Sequence, residues 1–438
     1  MFKTLADAFK IKEVRNKIIL TLVLLFIYRL GCWLPIPGIN QGAFSDEVTS
    51  NTFLGLLSSV SGGALSQGSF LALGVSPYIT SSIIIQLLSA VIPSWQRLAK
   101  EGGADGRKKI NQYTKIAALI LAIAQAVGIT VGFGTAGNIN VEIFWNNKYI
   151  AYTAVVLMLV AGAMFTVWLG EKITEIGIGN GMSLLIFVGI LSSAGTGLMT
   201  NFQTIGNGGK DAQTAIWQLI LFLIVLVAIF ALVVFVDGGE RKVGVQYAKQ
   251  MKGRKMYGGQ STYIPIRVNA NGVMPIIFAS SILTFPQMLF SIFWPNKTDG
   301  FIGWWNTWLG ASSRYGIYYI LMALLILAFA YFYTMLNFDT EQISRQIQQN
   351  GGFIPGIRPG KPTAQYLDGI NKKITLFGAI FLAFMALIPS LLFSFMGLGG
   401  LTSAFSATGM LIVVSVALEF DKQLEAQMMM RNYRGFLK

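Results

Sequence analysis

The chain alternates long apolar runs with short polar connectors, and the runs have the length of membrane helices. A helix needs about 20 residues to cross the roughly 30 Å hydrocarbon core of a bilayer. Ten runs approach this length, and they lie at 18–36, 70–92, 114–134, 151–170, 179–198, 215–236, 272–294, 315–337, 374–393 and 400–418. The pattern therefore predicts an all-α polytopic membrane protein with ten spans.

Spans two and seven carry a matching interruption. GVSPYI (Gly74 to Ile79) and GVMPII (Gly272 to Ile277) place Gly, Val, Pro and Ile at the same spacing. Because proline removes a backbone donor and disfavours the helical state of the residue before it, we expect both spans to be bent or broken there. Paired interruptions of this kind are typical of inverted repeats that open a path at their interface. We expect an N-terminal half at 18–198 and an inverted C-terminal half at 199–418.

The basic residues predict the orientation of the chain in the membrane. All but five of the 33 Lys and Arg fall in the termini or in connectors on the same predicted side. By the positive-inside rule this side is cytoplasmic. It holds the N-terminal segment 1–17, the loops 237–271 and 338–373, and the tail 419–438. This topology explains most of the net charge of +14, so charge alone does not indicate nucleic-acid binding.

Composition excludes several classes of protein. The chain is 54% hydrophobic and 12% charged, with a mean hydropathy of +0.60, which excludes a water-soluble globule. It lacks histidine and has one cysteine, Cys32, so a catalytic histidine, a Cys/His metal site and an internal disulfide are excluded. The first span contains Arg29 and lacks a small-residue exit, which favours a retained span over a cleaved signal. We expect neither an enzyme nor a cofactor.

Ionisable groups are almost absent from the span interiors. Only Arg29 lies deep within a span, and we expect it to face the bundle interior or to snorkel outward. Ion-coupled transporters usually bury ionisable residues along the ion path, so the pattern weakens that interpretation. A secondary transporter with inverted repeats nevertheless remains the alternative function.

Two glycine-rich stretches resemble nucleotide-binding loops only superficially. In GIRPGKPT (Gly356 to Thr363), the first glycine of a phosphate-binding loop falls on Pro355 and the hydroxyl position falls on Pro362. GIGNG (Gly177 to Gly181) is interpreted more simply as a loop that leads into a helix. Neither stretch supports nucleotide hydrolysis.

Five long motifs follow one another along the chain, and they are FLALGVSPYITSSIIIQLL, EGGADGRKKINQYTK, WLGEKITEIGIGNGMSLLIF, QSTYIPIRVNANGVMPIIFASSILTFP and GGFIPGIRPGKPTAQYLD. In this order they closely resemble the SecY family of protein-conducting channels. The similarity runs from about Asn16 to Lys438 and includes the number of spans.

The resemblance implies a function and a set of partners. A member of this family is the central subunit of a channel that conducts unfolded preproteins across the plasma (inner) membrane and releases apolar segments sideways into lipid. The implied partners are a SecE subunit, often a SecG subunit, and either the SecA ATPase or a translating ribosome. Signal sequences, preproteins and membrane lipids would be its other contacts.

The resemblance also implies a constriction lined by aliphatic side chains. Such a ring has no fixed hydrogen-bond partners, deforms around different polypeptides and resists hydration when closed. By position in the family motifs, the pore ring would comprise Val75, Ile79, Met182, Ile186, Ile277 and Ile412. Val75 and Met182 depart from the isoleucines often found there.

A short plug helix and a lateral gate are further expectations from the family. The plug would occupy about 51–65, with Gly62 and Gly63 as a flexible hinge. Its apolar residues would be Phe53, Leu54, Leu56 and Leu57. The gate would open between spans two and seven, with Pro77, Gln86, Gln125, Asn271 and Pro275 on or beside it. The polar members would hydrogen-bond across the closed gate or locally within a helix.

The cytoplasmic loops are the expected contact surface for the ribosome or SecA. Loop 237–271 is basic enough to meet the phosphates of ribosomal RNA, although topology alone also predicts a basic loop. In loop 338–373, prolines and glycines predict an ordered tip that presents Arg358. The partner-contact candidates are Arg254, Lys255, Arg358 and Lys361.

Overall fold

A computed structural model of the protein places a helix in each of the ten predicted spans. It describes residues 7–40, 42, 58, 61–100, 103–135, 139–140, 143, 147–206, 210–247, 250–252, 255–257, 261–269, 272, 274–293, 300–309, 317–395 and 407–435. The helices are α1 (Lys12–Gly31), α2 (Ser76–Val91), α3 (Pro93–Lys100), α4 (Gly103–Thr135), α5 (Lys148–Ile176), α6 (Gly181–Gly206), α7 (Lys210–Asp237), α8 (Met274–Phe293), α9 (Phe301–Trp308), α10 (Ile317–Asn337), α11 (Thr340–Gln349), α12 (Lys361–Phe395) and α13 (Ala407–Gly435).

The helices have the composition of membrane spans. Within the described ranges, six of them combine the length and the apolar character needed to cross a bilayer, and these are α4, α5, α6, α7, α10 and α12. Helix α2 is apolar but has only 16 residues, because it begins six residues inside its apolar run. Helix α8 is apolar and has 20 residues.

Span two is broken at its repeat, as predicted, because residues 70–75 form turns and the helix begins at Ser76. In span seven the repeat lies at the start of the helix, which begins at Met274. Pro77 and Pro275 occupy the second position of α2 and α8, within the first turn, where an α-helix needs no backbone N–H donor from them. Gly74 and Gly272 have φ of +53° and +58°, so the two copies of the repeat share a left-handed glycine just before a helix. The repeat starts each helix.

A compact series of turns precedes α2. Residues 61–75 were expected to include the beginning of span two, but they form turns whose Leu65, Leu71 and Leu73 are fully buried. Gly162 of α5 lies against the carbonyl oxygen of Phe70, so closely that any Cβ at this position would collide with it. The segment is therefore packed among the helices.

Loops 237–271 and 338–373 share one small three-stranded sheet. Strands β1 (Glu240–Tyr247) and β4 (Ser261–Arg267) form an antiparallel hairpin that encloses β2 (Gln250–Lys252) and β3 (Lys255–Tyr257). Strand β5 (Gly352–Phe353), from the other loop, pairs with the far edge of β1, which gives the order β4-β1-β5. Side chains from both loops bury a shared cluster: Val243, Val245, Ile266, Ile347, Ile354 and Leu367.

Two apolar clusters fill the helical bundle near the candidate site. The first, called the ring cluster, has Tyr28, Cys32, Ala64, Leu71, Val75, Leu169, Ile173, Leu184, Leu185, Ile186, Ile190, Ile412 and Val416 as its buried members. The second, called the C-terminal cluster, draws its buried members mainly from α7, α8, α10, α12 and α13. The ring cluster takes all but two of its buried members from residues before 199, and the C-terminal cluster takes all but one from residues after 199. Their common border is called the seam between the two halves.

Candidate functional site

The structure brings the six aliphatic ring candidates into a single apolar cluster. Val75, Ile186 and Ile412 are buried members of the ring cluster, and Ile79, Met182 and Ile277 pack against it partly buried. They come from the start of α2, from α6, from α8 and from α13, so four separate helices converge on one point. The six side chains are aliphatic or thioether groups, so none of them carries a strong hydrogen-bonding atom.

The ring candidates also lie on the seam between the halves. Ile79 and Ile277 pack against both the ring cluster and the C-terminal cluster. Ile83, one turn after Ile79 on α2, is buried in the C-terminal cluster, whereas Ile412 of α13 is buried in the ring cluster. Each half therefore buries a side chain of the other.

Glycines fix where Met182 lies. A Cβ on Gly170 of α5 would lie 2.5 Å from the Met182 sulfur, so a larger residue there would require the end of this side chain to move. Helix α6 starts at Gly181, and the Asn180 side chain caps it by accepting a hydrogen bond from the Met182 N–H at 3.1 Å. The GIGNG stretch is thus a helix-entry loop, as the sequence indicates.

The candidate hinge is a tight turn. Phe53, Leu54, Leu56 and Leu57 lie outside the described residues. Gly62 and Gly63 have φ of +72° and +82°, and the Gly63 N–H donates to the Ser58 carbonyl oxygen at 2.8 Å. A Cβ on Gly62 would lie 2.9 Å from the Gly189 Cα of α6, so the turn touches that helix directly.

Arg29 faces the interior of the bundle. Its Nη1 donates to the Gly62 carbonyl oxygen at 2.9 Å, and its guanidinium lies 5.7 Å from the centre of the Trp33 ring. The guanidinium, the only charged group deep in a predicted span, therefore has a carbonyl oxygen and an aromatic ring as partners. The arginine therefore fastens the turn at Gly62 to α1.

The gate candidates are distributed along three helices. Helix α8 packs against both α2 and α4, and Pro77 and Pro275 are buried at the starts of α2 and α8. Gln86 donates to the Ser82 hydroxyl at 3.1 Å on its own helix, and its side chain also interacts with Tyr333 of α10. Gln125 of α4 is buried, and Asn271 lies outside the described residues.

Gly189 and Tyr333 contribute contacts to this region, and no sequence pattern singles them out. Gly189 accepts the close approach of the Gly62 turn, and it lies in an apolar run where one more glycine attracts no notice. The ring of Tyr333 packs edge-on against that of Phe278 of α8, with 5.3 Å between the ring centres, so α10 also borders the gate candidates. Only the packing of distant segments reveals either role.

The partner candidates lie on and around the strands of loops 237–271 and 338–373. Arg358 is exposed on a turn flanked by Gly356 and Gly360, both at positive φ, and its carbonyl oxygen accepts a hydrogen bond from the buried Thr363 hydroxyl at 2.9 Å. Lys361 is exposed at the start of α12. Lys255 begins β3, and Arg254 lies outside the described residues. The tip is ordered and presents Arg358, as the sequence predicts.

The described part of the chain holds no group of three or more Cys, Asp or Glu side chains placed to bind a metal. The GIRPGKPT stretch forms the exposed turn just described followed by the first turn of α12. Pro362 lies in this first helical turn, at the position where a phosphate-binding loop needs a hydroxyl.

Known proteins resemble this chain along its whole length. The SecY family model matches residues 69–420. The protein translocase subunit SecY of Halalkalibacterium halodurans is 39% identical, and that of Mycobacterium tuberculosis is 40% identical, each with all of both chains covered. The Thermus thermophilus subunit is 38% identical over all of this chain and 98% of its own.

Solved structures share the fold. A protein-conducting channel structure has a TM-score of 0.64 at 21% identity and covers 94% of this chain and 91% of the other. Sec61 in the canine ribosome-channel complex from the endoplasmic reticulum has a TM-score of 0.62 at 20% identity, with the same coverage. At this identity the similarity establishes the ten-helix architecture.

Proposed function

The chain belongs to the SecY family of protein translocase subunits. From this premise we propose which of its residues seal the channel, which form its lateral gate and which contact the partner that drives transport. It is the pore-forming subunit of a membrane channel that moves polypeptides. The observation that carries the residue assignments is the convergence of six aliphatic side chains from four helices on one apolar cluster, with Ile79 and Ile277 also packed against the second cluster.

Val75, Ile79, Met182, Ile186, Ile277 and Ile412 form the seal. Aliphatic groups bind neither water nor ions, so a closed ring of them resists hydration and blocks small solutes. A translocating polypeptide is in contact with side chains that lack fixed hydrogen-bonding partners, so chains of different sequence pass the same constriction. Residues of the ring lie on several helices, which allows the ring to widen when those helices separate.

The turn at Gly62 and Gly63 ends the plug, and α2 and α8 form the walls of the lateral gate. An apolar segment that reaches the opened seam partitions into lipid. The transfer favours Leu by about 0.3–0.6 kcal/mol and disfavours a charged residue by about 2.5–3.5 kcal/mol at mid-helix. Gln86 keeps a polar group beside this opening and interacts with Tyr333 of α10, so the closed seam includes a polar contact between helices.

The cytoplasmic sheet and the Arg358 turn receive the partner that drives transport. Arg358, Lys361 and the basic strands suit an anionic surface, such as ribosomal RNA or an acidic face of the SecA ATPase. SecE and SecG subunits complete the assembly, the membrane is the plasma membrane, and both termini are cytoplasmic. The positive-inside distribution of Lys and Arg supports this orientation.

Reconstitution tests the channel function directly. Vesicles that contain this chain with SecE and SecG subunits, supplied with SecA and ATP, are expected to protect a precursor protein from external protease. Vesicles without the chain provide the control. Equal protection in both preparations would contradict the function, and uptake of a small solute driven by an ion gradient would favour the transporter alternative.

Crosslinking tests the ring. In a Cys32→Ala background, a cysteine in place of Ile186 is expected to crosslink to a precursor stalled in the channel. Leu191, on the same helix but 51% exposed, supplies the matched control, and Ile79 with Leu88 form a second pair on α2. Equal crosslinking within each pair would remove the ring assignment while leaving the channel function intact.

A further inference from the structure

Asp237 joins three segments of the chain at the cytoplasmic end of the bundle. It is the last residue of α7, and its side chain is only 12% exposed. Lys422 of α13 lies 2.7 Å from the Asp237 Oδ2 atom. Asn269, which is buried just after β4, donates from Nδ2 to the Oδ1 atom at 3.4 Å. Each carboxylate oxygen thus has its own partner.

The position of Lys422 strengthens this contact. Its ammonium group also lies 3.5 Å from the Asp237 carbonyl oxygen, at the C-terminus of α7. A positive charge is favourable there because the last carbonyls of a helix carry partial negative charge. Burial of the Asp237 side chain further reduces screening by water and salt.

The three segments carry the moving parts of the proposed channel. Lys422 follows the ring candidate Ile412 on α13 by ten residues, or about 15 Å at 1.5 Å per residue. Asn269 precedes α8, which carries Ile277, and Asp237 precedes β1 of the partner-facing sheet. The cluster therefore lies where the ring, the gate helix and the docking sheet are mechanically connected.

The backbone beside the cluster is tightly held. The Val268 N–H donates to the Gly239 carbonyl oxygen at 3.0 Å, which closes the base of the β1–β4 hairpin. On the other side, a Cβ on Gly378 of α12 would lie 2.5 Å from the Val268 carbonyl oxygen. Because Val268 is confined on both sides, a tilt of the sheet is transmitted to the neighbouring Asn269.

We propose that Asp237, Lys422 and Asn269 form a positioning cluster that holds the closed channel, and that docking of a partner on the sheet releases it. The cluster acts through α8 and α13 and does not contact the translocating chain. Loss of the ion pair then frees the cytoplasmic ends of both helices, which carry Ile277 and Ile412. The proposal rests on the channel function and deepens it by naming a point of regulation.

Charge removal tests the cluster. Asp237→Asn and Lys422→Met are each expected to raise the resting ion conductance severalfold, and to raise transport of a precursor with a defective signal sequence by a similar factor. Transport of the normal precursor should be retained. The exchange Asp237→Lys with Lys422→Asp should lower both readouts toward those of the unmodified chain, because it restores opposite charges.

A second ion pair serves as the matched control. Lys115 and Glu171 lie 2.8 Å apart and join α4 to α5 within the N-terminal half. Lys115→Met removes an inter-helix pair of similar length, and it should leave both readouts unchanged. A rise equal to that of Lys422→Met would overturn the proposal, since any lost ion pair would then open the channel.

Crosslinking covers the case in which the single variants fail to fold. In a Cys32→Ala background, cysteines at positions 237 and 422 are joined by a short bismaleimide after assembly. The joined channel should lose transport of the normal precursor, and the same protein before joining should retain it. Unchanged transport after joining overturns the cluster. Transport by the unmodified chain in the same vesicles separates this outcome from a failure of the channel function.

Discussion

Arg29 and Gly62 are joined by a hydrogen bond of 2.9 Å across 33 positions of the sequence. The donor is the only charged side chain deep within a predicted span, and the acceptor belongs to a turn that also touches Gly189 of α6. The contact connects α1, the turn and α6. A charged side chain that is costly to place in a membrane thus binds the turn that we propose as the end of the plug.

Arg29→Met should loosen that fastening. A hydrogen bond from a charged group contributes about 1.5–3 kcal/mol, and 1.4 kcal/mol corresponds to about a tenfold change in population. The resting conductance in planar bilayers should therefore rise about tenfold or more. Arg29→Lys, which keeps the charge, should have a smaller effect. Wild-type conductance in the methionine variant would show that the bond does not hold the closed state.

Gly62→Ala and Gly63→Ala should differ in their cost. Both residues have positive φ, so alanine loses about 1–2 kcal/mol at either site through backbone strain. At Gly62 the new methyl group also meets the Gly189 Cα at 2.9 Å, whereas at Gly63 the nearest atom outside its chain neighbours is the Ser66 hydroxyl at 3.8 Å. Thermal unfolding followed by tryptophan fluorescence should show the larger loss for Gly62→Ala. Equal losses would mean that the contact with α6 is relaxed in the membrane.

Gly170→Ala should displace Met182 from the ring cluster. The added methyl group would lie 2.5 Å from the Met182 sulfur, so the side chain has to move. Overpacking of this kind typically costs about 1–3 kcal/mol. Met182→Ala in the same chain removes the clash, and the double variant should recover part of the lost stability. Additive effects in this cycle would indicate that the two residues do not touch.

Arg358→Glu should slow partner-driven transport without unfolding the protein. The side chain is exposed, and opposite charges steer association at rates that rise by roughly 10-fold or more. Transport is expected to fall about tenfold at low salt, and the difference should shrink as salt increases. Arg345→Glu on α11 is the control, because Arg345 is exposed but already paired with Glu341. An equal loss in both variants would assign the effect to overall charge.

The sequence predicted the helices well because apolar length is a local property. Every predicted span contains a helix, and the GVxP repeat marks two equivalent positions. The expected break is present in span two, where the helix starts only at Ser76, but the sequence did not show that both prolines lie in a first helical turn. Gly74 and Gly272 precede these helices at positive φ, which residue letters do not report.

The contacts between distant segments could not be predicted in the same way. The alternation of Val243 and Val245 with polar neighbours is typical of a strand, but it does not indicate that the strand pairs with one from loop 338–373. The bond from Arg29 to Gly62 and the ion pair of Asp237 with Lys422 depend on three-dimensional packing. Motif positions indicate which residues matter, and only the fold indicates what each one touches.

The edge pairing of β5 with β1 joins the two loops into one structural unit. Phe353 and Gln246 are partners in a backbone ladder, although 107 positions separate them in the chain. A protein that grips only the Arg358 turn therefore also pulls on the hairpin that leads into α8, and one that pushes on the hairpin moves the start of α12. Two different partners that bind at different places on these loops would therefore displace the same sheet and the same helices.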